Sequence, residues 1–305
     1  MTASAVRKKE YSLAFISPML MHGLNNREEA EFRTSSLKGI MRYWWRTLQL
    51  YKNEKDLLKE EVRLFGGTTE NGRKSPLHIH LVRPILGKER INILPHRPSG
   101  DSRLAHNRKK KTVFSPGIKE NETADIIIQT MKNNPAFDLY NRYMEYLFHL
   151  AGMGQRARRG FGAVQWTEHR WGSVKQFAES LRTVLDRIGV AGEYDWNMSG
   201  PCLLKKKTNV AASHPVLYTV YIGKPAESVS EILKRIGQAS HVGNAEGSLG
   251  RAKNGRKASP LWCTVRKIGG QYYPVITEVR TGRKDDVAGT YEEDKKIFLE
   301  QLGVK

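Results

Sequence analysis

The chain has 305 residues, of which 51 are Lys or Arg against 31 Asp or Glu, for a formal net charge of +20. That length accommodates two domains or one large one, and a positive excess of this size points to a polyanionic partner. Two cysteines, Cys202 and Cys263, stand in no metal-ligand spacing, and no apolar run is long enough to span a membrane, so a disulfide framework, a zinc ribbon and a membrane protein are excluded and a cytoplasmic chain with no cofactor and no metal is expected.

In chain order, Tyr11 to Met21 reads as a first strand, with Leu13 and Phe15 on one face until Pro18 interrupts the ladder. His22-Gly23 opens a polar loop that ends at Thr34 and Ser35, both good helix N-cap residues. From Leu37 to Tyr51 the apolar residues Leu37, Ile40, Met41, Trp44 and Leu48 recur at helical spacing. Lys38, Arg42 and Arg46 fall at i, i+4 and i+8 on a different face, a positive stripe beside a helix N-terminus that itself attracts anions, or else an ordinary solvated face. The turn-rich Asn71-Gly-Arg-Lys-Ser-Pro leads into a strand over Leu77 to Val82, where His78 and His80 share a face but no further metal ligand is evident.

Ile91 to Gly117 is loop-like and basic, with Arg97, Arg103, Arg108 and Lys109 to Lys111. A strand is expected somewhere within Thr112 to Ile128, followed by a helix over Phe137 to Ala151. Then comes a glycine-arginine loop from Ala151 to Trp166, in which Gly152, Gly154, Gly160 and Gly162 bracket Arg156, Arg158 and Arg159, and whose last residues from Phe161 read as a strand. Glycines permit close backbone approach and expose N–H groups, and arginines offer planar charged forks, so the loop is expected to grip a phosphate backbone. It is not a nucleotide loop. Dinucleotide and P-loop sites run strand, loop, helix, whereas here a helix precedes and a strand follows.

The second half gives a helix at Val174 to Ile188, a link containing Lys205 to Lys207, a strand at Val216 to Ile222 and a helix at Val229 to Ile236. A second glycine-basic loop with Arg251, Arg256 and Lys257 feeds strands at Leu261 to Ile268 and Tyr272 to Val279, joined by Gly269-Gly270, and a helix at Glu292 to Leu302 closes the chain. Asn71-Gly-Arg-Lys-Ser-Pro-Leu77 is echoed by Asn254-Gly-Arg-Lys-Ala-Ser-Pro-Leu261, although the copies do not fall at equivalent places in a simple duplication. The element order predicts an α+β protein of two tandem ferredoxin-like (RRM-related) domains, residues 1–170 and 171–305.

Glu31-x-Arg33-x-Ser35-Ser36-Leu37-Lys38-Gly39-x-x-Arg42-Tyr43-Trp44-Trp45-Arg46, together with Gly152-x-Gly154-x-Arg156-x-Arg158-Arg159-Gly160-x-Gly162, resembles the RAMP superfamily of CRISPR proteins, and within it the subunit 1 family of type III-B (Cmr) effector complexes. The resemblance implies a subunit that works with other RAMP subunits and binds guide RNA and target RNA, at the 3′ part of the guide, with the cleaving aspartate on a different subunit. The residues point the same way: Lys38, Arg42, Arg46, Arg156, Arg158 and Arg159 for phosphates, Arg251, Arg256 and Lys257 as a second patch, and exposed aromatics for stacking. The enzymatic alternative is a metal-independent guide-processing RAMP endoribonuclease using His22, and a more distant one is a basic ribosome-associated protein.

Overall fold

The computed structural model describes residues 5–25, 28–50, 53–68, 72–96, 113–244, 247–251, 257–283 and 289–304. The first half contains β1 (Val6–Phe15), α1 (Thr34–Arg46), α2 (Glu54–Phe65), β2 (His78–Leu81), β3 (Lys88–Asn92), β4 (Phe114–Ile118), β5 (Thr123–Met131), α3 (Phe137–Leu150) and β6 (Val164–Trp166). Four of these strands form an antiparallel sheet in the order β2-β5-β1-β6, and β3 pairs with β4 as a separate ribbon. The second half supplies α4 (Val174–Ile188), β7 (Tyr194–Trp196), β8 (Cys202–Lys206), β9 (Val216–Ile222), α5 (Val229–Val242), β10 (Leu261–Ile268), β11 (Gln271–Arg280) and α6 (Tyr291–Gln301), with sheet order β10-β11-β9-β8-β7.

Several sequence expectations shift. The first strand begins at Val6 and ends at Phe15, before Pro18, which has no N–H to donate to a ladder. The region Thr112 to Ile128 holds two strands, β4 and β5, separated by a turn in which Asn121 takes a left-handed φ of 65°. The flanks of the basic stretch from Ile91 to Gly117 are the ends of the β3–β4 ribbon, while Arg97, Arg103 and Arg108 to Lys111 lie outside the described residues. α1 starts at Thr34 with Arg33 at the N-cap and no side-chain cap bond, so neither Thr34 nor Ser35 caps it. α2, β3, β7 and β8 are additions to the expected elements.

The two sheets share a spatial rule. In the first, the second, third and first strands of the unit lie side by side as β2-β5-β1; in the second, β10-β11-β9 repeats that order with α5 between β9 and β10. The fourth place is filled by β6 at the end of the first unit, and by β8, which precedes β9, in the second. The echoed loops therefore do sit at equivalent places, each leading into the second strand of its unit. Gly67 bridges Arg73 just as Arg251 bridges Lys257, and Gly66 and Gly250, both with positive φ, pack against Ser75 and Ser259 respectively.

The largest core is continuous across residue 170. Tyr11 and Phe15 of β1, Trp44 and Trp45 of α1, Tyr146 of α3, Phe177 of α4 and Val220 and Trp262 of the second sheet belong to one buried cluster. On the other face of the second sheet, Cys263, Val265 and Ile276 pack with Ile236 of α5 and Phe298 of α6. Strand alternation produces this division, since successive β10 side chains point to opposite faces.

Candidate nucleic-acid interface

The glycine-arginine loop starts where α3 ends, and that end is held by a residue 115 positions away in sequence, Arg266 of β10. Its guanidinium is fully buried and donates to the carbonyls of His149 (2.9 Å), Ala151 (2.7 Å) and Val265 (2.8 Å) and to the Thr264 hydroxyl (3.0 Å). Carbonyls at a helix C-terminus carry partial negative charge and have no intrahelical donor, which suits a buried cation. With only neutral partners, burial pushes the Arg266 pKa down to about 9.

Beyond Ala151 the loop is stitched between the two sheets. The N–H of Met153 donates to Gly162, Gln155 to Leu20, Gly160 to Cys263 on the outer edge of β10, and Gly162 to Pro18. These four amides are therefore engaged by protein carbonyls rather than offered to phosphate, a correction to the expected grip. The glycines answer the same need. Gly160 and Gly162 have φ of 85° and 66°, and a Cβ on Gly160 would come within 2.8 Å of Leu233 and Ile236 of α5. Gly154 and Gly152 likewise lie against backbone, of Leu20 and of Ala157 and Phe161.

The three arginines leave this seam in different settings. Arg158 donates to the Ser259 carbonyl, and its guanidinium lies 4.4 Å from the Trp262 ring and 5.8 Å from Tyr43, whose hydroxyl accepts from Trp262 Nε1. Burial lowers its pKa. Arg159 is more enclosed: burial again lowers its pKa, against a smaller opposing effect of Cys263, and Nη1 has no hydrogen-bond partner. Arg156 has a left-handed φ of 57° and sits 5.9 Å over the Phe161 ring.

Arg158 also lines a cavity of about 310 Å³ with Tyr43 of α1, Lys257 and Ser259 of the second glycine-basic loop, and Arg280. Three stretches far apart in sequence thus meet at one place. Arg280 is held there by Glu278 and Glu292 and lies 4.0 Å over Tyr218, and Arg158 and Lys257 line the same cavity. Lys257 pairs by its backbone with the exposed Arg251; Arg256 lies outside the described residues.

The α1 stripe is only partly available. Arg42 Nε donates to Glu61 of α2 at 2.8 Å and Arg46 Nη2 at 2.7 Å, and the Glu61 side chain is 3% exposed. Burial would raise the Glu61 pKa, but the hydrogen bonds and charges of Arg46 and Arg42 win and lower it. Lys38 donates to Ser75 Oγ at 3.1 Å in the first echoed loop, and burial together with Arg42 lowers its pKa. Trp44, on the apolar stripe, and its neighbour Trp45 are buried in the core against Tyr146 and Phe65, so neither is an exposed aromatic, and the partly buried Tyr43 is the aromatic that reaches the cavity. Glu61, Trp262, Ser259 and Arg266 carry no motif; they become visible only when the elements are packed.

His22 Nε2 lies 2.8 Å from the Pro116 carbonyl, a contact in which Nε2 carries the proton, and Nδ1 is buried with no hydrogen-bond partner. His78 and His80 stack on the exposed edge strand β2 with rings 6.3 Å apart. Among the described residues no helix is long and apolar enough to cross a membrane.

Comparison with known proteins joins these features to a family. The chain is 24% identical to the CRISPR system Cmr subunit Cmr1-1 of Pyrococcus furiosus over 87% of its own length and 85% of that protein's, and 38% identical to Cmr1-2 of the same organism over 21% of its length and 35% of that protein's. Its fold is similar to the crystal structure of apo Cmr1 from Pyrococcus furiosus, with a TM-score of 0.63 and 18% identity over 97% of each chain. It is also similar to a chain in the cryo-EM structure of the type III-B Cmr-beta bound to cognate target RNA, with a TM-score of 0.58 and 12% identity over 98% of this chain and 99% of that one. A family model described as the RAMP superfamily matches residues 12–165, more than half of the sequence, from within β1 into β6, and the chain belongs to that superfamily.

Proposed function

We propose that the chain is an RNA-binding subunit of a type III-B (Cmr) CRISPR effector complex, contacting the 3′ part of the guide RNA, the adjoining target RNA, or both, beside other RAMP subunits. The observation that carries this reading is the cavity in which Tyr43, Arg158 and Lys257 converge from three separate elements. Cations next to an aromatic platform suit a single strand, whose phosphates need positive charge and whose bases stack. The strand orders β2-β5-β1-β6 and β10-β11-β9-β8 support two ferredoxin-like units divided near residue 170, the second with its fourth-place strand supplied from the preceding chain. The likeness to Cmr subunits supports the place in a type III-B assembly.

The role is a binding one, without catalysis by this chain. The placement of His22 supports that, since Nε2 is engaged by a carbonyl and Nδ1 is buried away from any 2′-hydroxyl.

The test is the salt dependence of RNA binding, read by fluorescence anisotropy with a labelled single-stranded RNA. Each lost phosphate contact lowers the slope of log K against log salt by about 0.7, so Lys38→Ala combined with Lys257→Ala is expected to flatten it by about 1.4 and to weaken all sequences alike. An unchanged slope in the double variant would reject the assignment.

A further inference from the structure

A second, larger cavity of about 660 Å³ opens at the other side of the glycine-arginine loop, between the β3–β4 ribbon and α5. Its apolar floor is made by Phe161, Ile91 and Leu233, all buried, with Pro18 and Pro95 beside them. Phe161 is the ring that Arg156 covers, so the cavity begins where the loop's first arginine ends. Two exposed cations, Arg90 of β3 and Lys234 of α5, stand at its rim. Two exposed carboxylates, Glu89 and Glu120, line one wall, close enough that Glu89, after burial, contributes to raising the Glu120 pKa.

This combination is selective in its chemistry. An apolar floor that includes an aromatic ring suits a nucleobase, and rim cations suit a phosphate on either side of it. Ionised carboxylates accept hydrogen bonds and donate none, so the edge turned toward Glu89 and Glu120 must present donors. Among the four RNA bases, guanine alone offers two adjacent donors, N1–H and the 2-amino group, on its Watson–Crick edge. Resting on the RNA-binding reading above, we infer that this cavity is a nucleobase pocket that takes one unstacked guanine of the bound strand, with Glu89 and Glu120 accepting from its Watson–Crick edge and Arg90 and Lys234 flanking its phosphates.

The experiment compares three single-stranded RNAs of fifteen nucleotides: all uridine, uridine with one central guanosine, and uridine with one central inosine, which keeps N1–H but lacks the 2-amino group. The guanosine RNA is expected to bind about 10-fold tighter than all-uridine, as one bidentate base contact gives, with inosine between them. Glu89→Ala with Glu120→Ala is expected to erase that ratio while all-uridine binding stays the same or tightens, because two negative charges leave an exposed rim. Equal affinities for the three RNAs, or a guanosine preference that persists in the double variant, would overturn the pocket while leaving RNA binding intact. If none of the three RNAs binds the wild-type chain, the RNA-binding reading falls and the pocket with it.

Discussion

Arg266→Leu is the substitution that most directly questions how the interface is built. The wild-type side chain makes four hydrogen bonds, all to neutral acceptors, and is fully buried. Two opposing terms decide the outcome. Burying the charge is unfavourable: a pKa pushed from 12.5 to about 9 corresponds to roughly 5 kcal/mol at about 1.4 kcal/mol per unit, a penalty the leucine removes. Against that, hydrogen bonds from a charged donor contribute about 1.5–3 kcal/mol each, so four of them amount to roughly 6–12 kcal/mol. The hydrogen bonds win, and a net loss of about 4 kcal/mol is expected. The reason is geometric: leucine fills part of the volume but leaves the His149 and Ala151 carbonyls without their Arg266 donor in the core.

Urea unfolding of the two proteins measures the difference, and RNA anisotropy in the absence of denaturant measures its reach. Because Arg266 grips Ala151, the first residue after α3, the variant is expected to bind RNA several-fold more weakly although Arg266 itself is inaccessible to RNA. A leucine variant as stable as the wild type would refute the reasoning, since it would mean that charge burial outweighs the four bonds, as it does in some buried ion pairs.

Two further outcomes follow from buried ionisable groups. His169, pushed down to about 3 by burial, then by Arg266, Lys9 and Arg187, and His149, held well below its ordinary range by burial, then by His169 and Arg266, are both neutral when folded. Below pH 6.5 the unfolded chain takes up protons that the folded chain does not, so stability falls with acidity; His169 alone is expected to remove about 2 kcal/mol between pH 7 and pH 5, and urea midpoints at the two pH values, compared with those of His169→Gln, check this. Glu61→Gln is expected to lower stability by about 2 kcal/mol by breaking the clamp between α1 and α2, while releasing Arg42 and Arg46 and steepening the salt slope of RNA binding by about 1.4. An unchanged urea midpoint in that variant would mean that the clamp does not hold the two helices together.

What was legible in the sequence follows from where the physics is local. α4, β9 and β10 match the residue periodicity at both ends, and α4 carries its own punctuation, Ser173 accepting from Gln176 N–H at one end and Gly189 in a left-handed cap at the other. α2 was hidden because its inward stripe is narrow and one of its buried positions is Glu61, which looks like a solvent residue until Arg42 and Arg46 arrive from another helix. β8 was hidden by Lys205 to Lys207, where Lys206 is buried and paired with Glu193 at 3.2 Å. The basic residues of the interface were visible as charges, but not which carboxylates would claim them. Trp44 was visible on the apolar stripe of α1, whereas the burial of Trp45 shows only once Phe65 of α2 packs against it.

The glycine-arginine loop shows how glycines expected to open a backbone to a ligand can instead close it onto the protein. Its glycines permit a backbone path that joins β1's continuation to the free edge of β10, and the amides of Met153, Gln155, Gly160 and Gly162 serve that join. The proposed RNA contacts and an inter-sheet seam thus fall on the same residues. Replacing Gly160 or Gly162 would strain a positive φ and force side chains into α5 or Met153, so loss of RNA binding there would report on folding as much as on contact. Arg158 is compromised in the same way, because its guanidinium supports Ser259 and the Trp262 ring. Lys38 and Lys257 are different. Each borders an echoed loop, Lys38 through the Ser75 hydroxyl and Lys257 within the cavity, and truncating either side chain leaves the seam's amide bonds intact. The lysines are therefore where a flattened salt slope with the seam's amide bonds intact carries the argument for RNA.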